Sequence, residues 1–509
     1  MPRTDFLHDR RGPWPQPAPD HPMAMAAEVL HPSTSDRRDW ARTAQRNYIK
    51  AMITKMPLAL YNWFVHYKLD HFDDTFFARM LTTTTYSKYM RLRTVEDLRS
   101  DPYFGGYPGL DPAQEYASVD YTPIQDVQPY AGMYVAPTVI LFEREGQPSP
   151  WRARAISIGH LQGNAWKHTL LTPEDGNAWI LARYFAIQGG AHIVSLTGHP
   201  AAHFPYDTVN AITQSAVPVK HTLFKLMKPH LRLHLSVDHA VLEGGHSIVS
   251  ESRGEFYAPF VGSSEQVRQL VAAGYIGYPH FLSKYDPSDT PGPAHPRWSY
   301  PRSARDVPSG YGTFLQVYYE TVRSFVSEVV AHIYGQRESE QGKEELYYIR
   351  NWAHHIAQWL PGFPNEQQIL EQVDGSYPHL ITAITTYIWD VGINHTTEHK
   401  TYYDPGPHHT CFRIRVPPPD SAQAPAYRRS EILSGWDMFK STLAFEIFFK
   451  PHNVETMLEA QYEFDSESLC AAARRFKSAL RQTEARLIDS GLDIDRYARV
   501  EDFASSIQY

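Results

Sequence analysis

The chain has 509 residues, 42% hydrophobic and 20% charged, a globular balance that excludes wholesale disorder and suits one large enzyme domain or two to four smaller ones. A net charge of −8, with no dense basic block, argues against a dedicated nucleic-acid binder. Two cysteines, Cys411 and Cys470, exclude a disulfide framework and a cysteine-rich zinc or iron–sulfur site, whereas 26 histidines make imidazole the group to follow.

The first residues, Met1 to Phe6, carry no apolar signal-peptide core, and no run of eighteen apolar residues occurs. The expectation is a soluble, cytoplasmic protein without a transmembrane segment. Residues 1–45 hold Pro13, Pro15, Pro17, Pro19, Pro22 and Pro32 among polar residues and read as an extended arm, leaving 46–509 as the body. Apolar residues recur at helical spacing from Arg46 to Ala78, predicting one or two helices. Two β-rich runs, Val135–Phe142 and Ala155–Ile158, flank Glu145-Gly146-Gln147 and predict a β-hairpin in a mainly α chain. Helices are then predicted at Trp179–Ile193, at His221–Glu243 with a break or kink at Pro229, and at Tyr311–Tyr334 and Glu344–Trp359. Two more are predicted at Pro378–Asn394 and Ser466–Leu487. Proline-rich stretches at 287–308 and 417–425 read as surface loops. No internal repeat is visible.

Two histidine pairs stand out: His199-Pro-Ala-Ala-His203 and His395-Thr-Thr-Glu-His399. An i, i+4 pair on a helix puts both imidazoles on one face, one turn apart, where they can bind one ion. Neutral imidazole suits iron, zinc, copper or nickel, so spacing does not choose the metal. In a chain this rich in histidine, such pairs also arise by chance, and His354-His355 and His408-His409 read as surface or hydrogen-bonded side chains. Around the first pair, Gly198, Pro200 and Pro205 are poor helix residues. Either a helix starts near His199 with Pro200 in its first turn, or the segment is distorted around a metal. The second pair also fits H-x-x-E-H, the inverted zinc-peptidase pattern, in which Glu398 would be the general base between zinc ligands His395 and His399.

The surroundings of these pairs resemble the catalytic domain of the lipoxygenase family. Trp179-Ile-Leu-Ala-Arg183 is similar to the opening of that family's first metal helix, and His199 follows Trp179 by twenty residues. His221-Thr-Leu-Phe-Lys-Leu-Met-Lys-Pro-His230-Leu-Arg232 is the most specific single match. Phe325 to Val330 and Glu344 to Leu346 with Trp352 resemble later helices. Pro378 to His399 resembles the second metal helix, and Arg413 to Pro419 the proline run after it. Asp73-Asp74 with Phe77, and Asp120-Tyr121 with Pro129-Tyr130, fit the family's first third. The tail Phe503–Tyr509 lies over its C-terminus. The resemblance runs from about residue 70 to 509 and lacks the family's N-terminal β-barrel.

The resemblance implies a non-haem iron, or manganese, held by His199, His203 and His395. His399 would take the variable fourth position, and the main-chain carboxylate of Tyr509 would supply an oxygen. It implies an enzyme that takes a hydrogen atom from a weak C–H bond of an unsaturated lipid and adds dioxygen to the carbon radical, with an apolar channel between helices for the substrate. Two departures stand out. Three residues separate the first pair where the family has four, and Glu243-Gly-Gly-His246, near the region that sets oxygenation position, is polar. Two other readings stay open: the zinc peptidase, and a non-catalytic lipid-binding relative.

Overall fold

The computed structural model describes residues 8–9, 29–30, 34–44, 49–146, 149–242, 259–263, 309–359, 363–403, 411–450 and 454–509. The architecture is mainly α with one small sheet. The helices used below are α1 (Thr34–Ala44), α2 (Lys50–Val65), α3 (Asp74–Thr83), α4 (Asn177–Ile193), α5 (Phe204–Ala216), α6 (Thr222–Met227), α7 (His234–Leu242), α8 (Gly310–Gly335), α9 (Glu340–Trp359), α10 (Pro378–Ile388), α11 (His395–Tyr403), α12 (Gly435–Phe448) and α13 (Glu467–Asp489).

The sheet is an antiparallel meander of five neighbours in chain order: β1 (Met90–Arg93), β2 (Glu115–Asp120), β3 (Thr138–Arg144), β4 (Arg152–Gln162) and β5 (Ala165–Leu171). The predicted hairpin is β3–β4, with Ile140 opposite Ile156 and Gly146 at φ +99° in the turn. Strand side chains alternate between faces. Thus Ile140, Phe142 and Ile156 join the main core around α4, while Val139, Leu141 and Ala155 join a smaller cluster with Val95, Leu98 and Phe104. Both faces of β3 are covered, which is why it reads as a continuous apolar run.

Helix α4 is apolar almost all round, so it runs through the core rather than over it. Its start is fixed by polar contacts to α3. Trp179 Nε1 donates to Asp74 Oδ1 at 2.7 Å, Arg183 pairs with the same carboxylate at 2.9 Å, and Arg183 also donates to the Phe72 carbonyl. A second core joins α5, α8, α9, α10 and α13. Within it Trp389 is fully buried and donates to the Leu315 carbonyl of α8 at 3.1 Å.

Several elements differ from the sequence reading. Helix α1 lies inside the stretch expected to be extended and packs against α7, with Trp40 half-buried against the second core. The segment from His221 is broken where Pro229 predicts: α6 ends at Met227, a 3-10 turn spans Lys228–His230, Leu233 adopts φ 60°, and α7 follows. The Pro417–Pro425 stretch is mostly exposed, as expected of a surface loop, and His354 is an exposed residue paired with Glu366. Glu243–His246, the 287–308 loop and His408–His409 lie outside the described residues.

Candidate metal centre

Both histidine pairs leave helices that change pitch. Helix α4 passes into a π-helical segment, Val194–Gly198; His199 follows, Pro200–Ala202 forms a 3-10 turn, and His203 opens α5. Helix α10 likewise passes into a π-helical segment, Trp389–Asn394, and His395 opens α11. Such π segments are uncommon and concentrate at functional sites. The segment shows a distortion, with Pro200 in the first position of the 3-10 turn. It also accommodates the three-residue gap, because His199 and His203 still converge, their Nε2 atoms 2.8 Å apart.

The second pair closes on the first. His395 Nε2 lies 2.8 Å from His203 Nε2, and His399 Nε2 lies 3.0 Å from His199 Nε2. One ligand atom from each of the four imidazoles falls within 4.8 Å of every other. Nitrogens about 2.1 Å from a single ion stand about 3 Å from one another, so these separations fit one shared cation.

Tautomers strengthen the fit. His199 Nδ1 donates to Glu398 Oε2 at 2.9 Å, and His203 Nδ1 donates to Asp238 Oδ1 at 2.8 Å. Burial alone would raise the pKa of Glu398, but the Lys88 cation and the His199 bond outweigh it and hold the carboxyl at about 2. Burial opposes ionisation of Asp238 too, and the facing His203 and His234 still hold it below the usual range. With its proton on Nδ1, neutral His199 turns a bare Nε2 lone pair towards His203 Nε2 at 2.8 Å. Two lone pairs at that distance repel unless a cation or a proton lies between them. Burial first, and neighbouring imidazoles next, lower His199 to about 4 and push His395 and His399 well below the ordinary value. All three are neutral near pH 7, the form in which imidazole binds a metal.

The C-terminal tail is fixed beside these rings. His230 Nδ1 donates to the Ser505 carbonyl at 2.6 Å, Ser506 donates to the Arg232 carbonyl, and Ala504 N–H donates to Thr396 Oγ1 of α11. The backbone of 455–457 pairs with Phe503 and Ser505. Gly392 makes room: a Cβ there would sit 2.9 Å from the Ala504 carbonyl oxygen and collide with the Met457 methyl. Tyr509 is buried, its ring centroid 5.1 Å from that of His395 and 4.7 Å from that of His399.

The sequence reading missed the partners that orient the imidazoles. Lys88 donates to Glu398 Oε1 and, at 2.9 Å, to Asn394 Oδ1. Asp238 sits one helical turn after His234, whose Nε2 donates to the His203 carbonyl at 3.1 Å. That i, i+4 His–Asp spacing was the only local signal. Glu398, expected as a general base in the peptidase reading, has Lys88 on one oxygen and His199 Nδ1 on the other, so it has no free edge for a water. The apolar channel is not seen among the described residues. Among the described residues, one space beside the imidazoles, bounded by Val194, Ser195, Tyr402 and Phe449, is about 10 Å³, too small for a lipid chain.

No protein-family model matches the sequence, and no curated protein matches it. Solved structures do. The manganese lipoxygenase of Gaeumannomyces graminis superposes with a TM-score of 0.65 at 12% identity, over 95% of this chain and 94% of its own. A fungal lipoxygenase from Fusarium graminearum gives 0.59 at 16% identity, over 86% of this chain and 80% of its own. A LOX solved anaerobically in complex with arachidonate gives 0.62 at 14% identity, over 90% of this chain and 74% of its own. This chain has the lipoxygenase fold.

Proposed function

We propose that this chain is a lipoxygenase-like oxidoreductase that removes a hydrogen atom from an unsaturated lipid and adds dioxygen to the resulting carbon radical. The observation that carries the reading is the convergence of the Nε2 atoms of four imidazoles, three of them buried and the fourth, His199, nearly so, on one small volume. His199, His203 and His395 would hold a non-haem iron, with His399 and the main-chain carboxylate of Tyr509 completing the set. Manganese is the alternative, since one structural neighbour is a manganese lipoxygenase. When bound, such an ion supplies one-electron redox chemistry, which zinc does not.

The chain's own residues do the rest. Glu398 and Asp238 keep the Nδ1 protons in place, so His199 and His203 offer Nε2 without a tautomer shift. Lys88 balances the charge of Glu398 inside the protein. Phe449 packs against His199 and His399, and Tyr402 against Phe449, so aromatic carbon covers one side of the cluster. The arachidonate complex of one neighbour supports a polyunsaturated acyl chain as substrate class.

The test is oxygen uptake and conjugated-diene absorbance with arachidonate or linoleate dispersed in detergent. Both signals should appear with wild type and vanish with His395→Ala. Uptake that survives His395→Ala, or wild type that carries the metal yet leaves dienes untouched, would overturn the reading. The peptidase alternative is not favoured, because both oxygens of Glu398 are engaged.

A further inference from the structure

Helix α2 is built inside out. Its outer surface carries Ile49, Ile53, Tyr61 and Phe64 at 52%, 67%, 61% and 65% exposure, with Met52 and Leu60 beside them. Positions 49, 53, 60 and 64 share one stripe of a 3.6-residue helix. The inner surface is the polar one. Asn62 is buried and donates to Thr442 Oγ1 of α12, His66 is buried, and Lys55 pairs at 3.0 Å with Glu446, itself only 1% exposed. A helix facing water places these classes the other way round. Ile49, Ile53 and Phe64, each more than half exposed on that stripe, with Leu60 between them and Tyr61 beside it, form a patch of the kind that marks an interaction surface.

Composition says what the patch meets. From Ile49 to Lys68 there is no aspartate or glutamate, and of the three lysines Lys50 and Lys68 are exposed while Lys55 is turned inward to Glu446, in a chain of net charge −8. Lys50 is exposed at the edge of the apolar stripe. Tyr61, Trp63 and Phe64 gather at one end, where Trp63 also packs with Trp436 and Phe439. An apolar stripe flanked by lysine and amphipathic aromatics suits the boundary between lipid headgroups and acyl chains. Sixteen residues make a helix about 24 Å long, shorter than the ~30 Å hydrocarbon core, so α2 lies on a membrane rather than crossing it. No helix among the described residues is long and apolar enough to span one.

Position says why. Helix α2 packs along α12, and α12 is followed directly by its cap residue Phe449, whose ring lies 5.1 Å from that of His399. The exposed apolar face is therefore one helix away from a residue that packs on the imidazole cluster. We propose that the outer face of α2 docks on an anionic lipid bilayer, and that this bilayer is where the chain finds its acyl substrate. The docking stands on α2 alone; the delivery of substrate rests on the lipid-oxidising reading above.

The test is flotation of the full-length protein with large unilamellar vesicles of phosphatidylcholine, with and without a quarter of phosphatidylglycerol. Wild type should float with the anionic vesicles and less with the neutral ones. The Ile53→Asp/Phe64→Asp double variant should lose about tenfold or more of that binding. Leu161→Asp, an exposed apolar residue of β4 at 59% exposure, should float as wild type does. All three proteins should keep one melting temperature, since the substituted side chains are largely solvent-exposed. Wild type that stays at the bottom of the gradient, or a double variant that floats equally well, would overturn the docking. So would wild type that self-associates in the ultracentrifuge without floating, while the double variant is monomeric; the face would then belong to a second copy. Flotation without oxidation of dispersed arachidonate would sink the proposed function and leave the docking standing, and oxidation without flotation would do the reverse.

Discussion

Glu398 Oε2 lies 2.9 Å from His199 Nδ1, a hydrogen bond between residues 199 positions apart in the chain. It decides two matters together. It fixes which nitrogen of His199 carries the proton, and it removes Glu398 from contention as a general base. An outer carboxylate on an imidazole ligand raises its basicity and holds its orientation.

Replacing that carboxylate should therefore weaken metal binding without unfolding the chain. For Glu398→Gln, cobalt(II) titration against a competing chelator should show an affinity about 10–100-fold below wild type, the range typical of such outer partners. Asp238→Asn should behave alike, through His203. Wild-type affinity in both variants would show that the two carboxylates are structural only.

His395→Ala should cost more, because it removes a ligand rather than its support. His395 Nε2 is 2.8 Å from His203 Nε2 and the residue is fully buried. Affinity should fall by more than about 100-fold, beyond the effect of an outer partner. Elemental analysis of purified protein, with circular dichroism to confirm the fold, would read this out.

The tail offers a separate test. Removing Tyr509 shifts the terminal carboxylate one residue back while leaving the bonds at Ser505 and Ser506 in place. Metal content should drop and the helical signal should not. Tyr509→Ile keeps the carboxylate and should retain metal. Equal metal content in the deletion would exclude the carboxylate as a ligand.

His230 gives a pH dependence. Burial lowers it to about 4 in the folded protein, from about 6.5 when unfolded. The folded state thus binds fewer protons than the unfolded state between these values, so stability rises with pH there. The contribution is complete above about pH 6.5 and is lost progressively as pH falls towards 4. At pH 5 the loss is about 2 kcal/mol for this one residue. Asn at 230 can still donate to the Ser505 carbonyl but does not titrate. Denaturant unfolding at pH 7.5 and pH 5 should show His230→Asn losing about 2 kcal/mol less than wild type. Identical losses would remove His230 as a source of the acid sensitivity.

The histidine ligand candidates were legible because metal binding leaves a local mark: two imidazoles one turn apart. The helices around them were legible for the same reason of period, and Pro229 marked its own break. What surrounds the imidazoles was not. Asp238 and Lys88 reach the cluster from elsewhere in the chain, and no local spacing connects them to His203 or Glu398. The H-x-x-E-H pattern names Glu398 without saying which way it faces, and in the fold its two oxygens meet Lys88 and His199. The π segments were also invisible: Val194–Gly198 and Trp389–Asn394 hold weak helix formers such as Gly198 and Gly392, but weak helix formers do not distinguish a π turn from the end of a helix. The sheet was half seen: β3 is apolar throughout, whereas β1 is four residues long and β5 alternates with polar residues. Helix α1 hid behind the prolines that precede it.

The most direct measurement is the metal content of the protein purified aerobically without added chelator. The convergence of His199, His203, His395 and His399 calls for about one iron or manganese ion per chain, lost on His395→Ala. A wild-type protein that binds neither ion when both are supplied, or that is filled with zinc and takes up no oxygen with arachidonate, would contradict it.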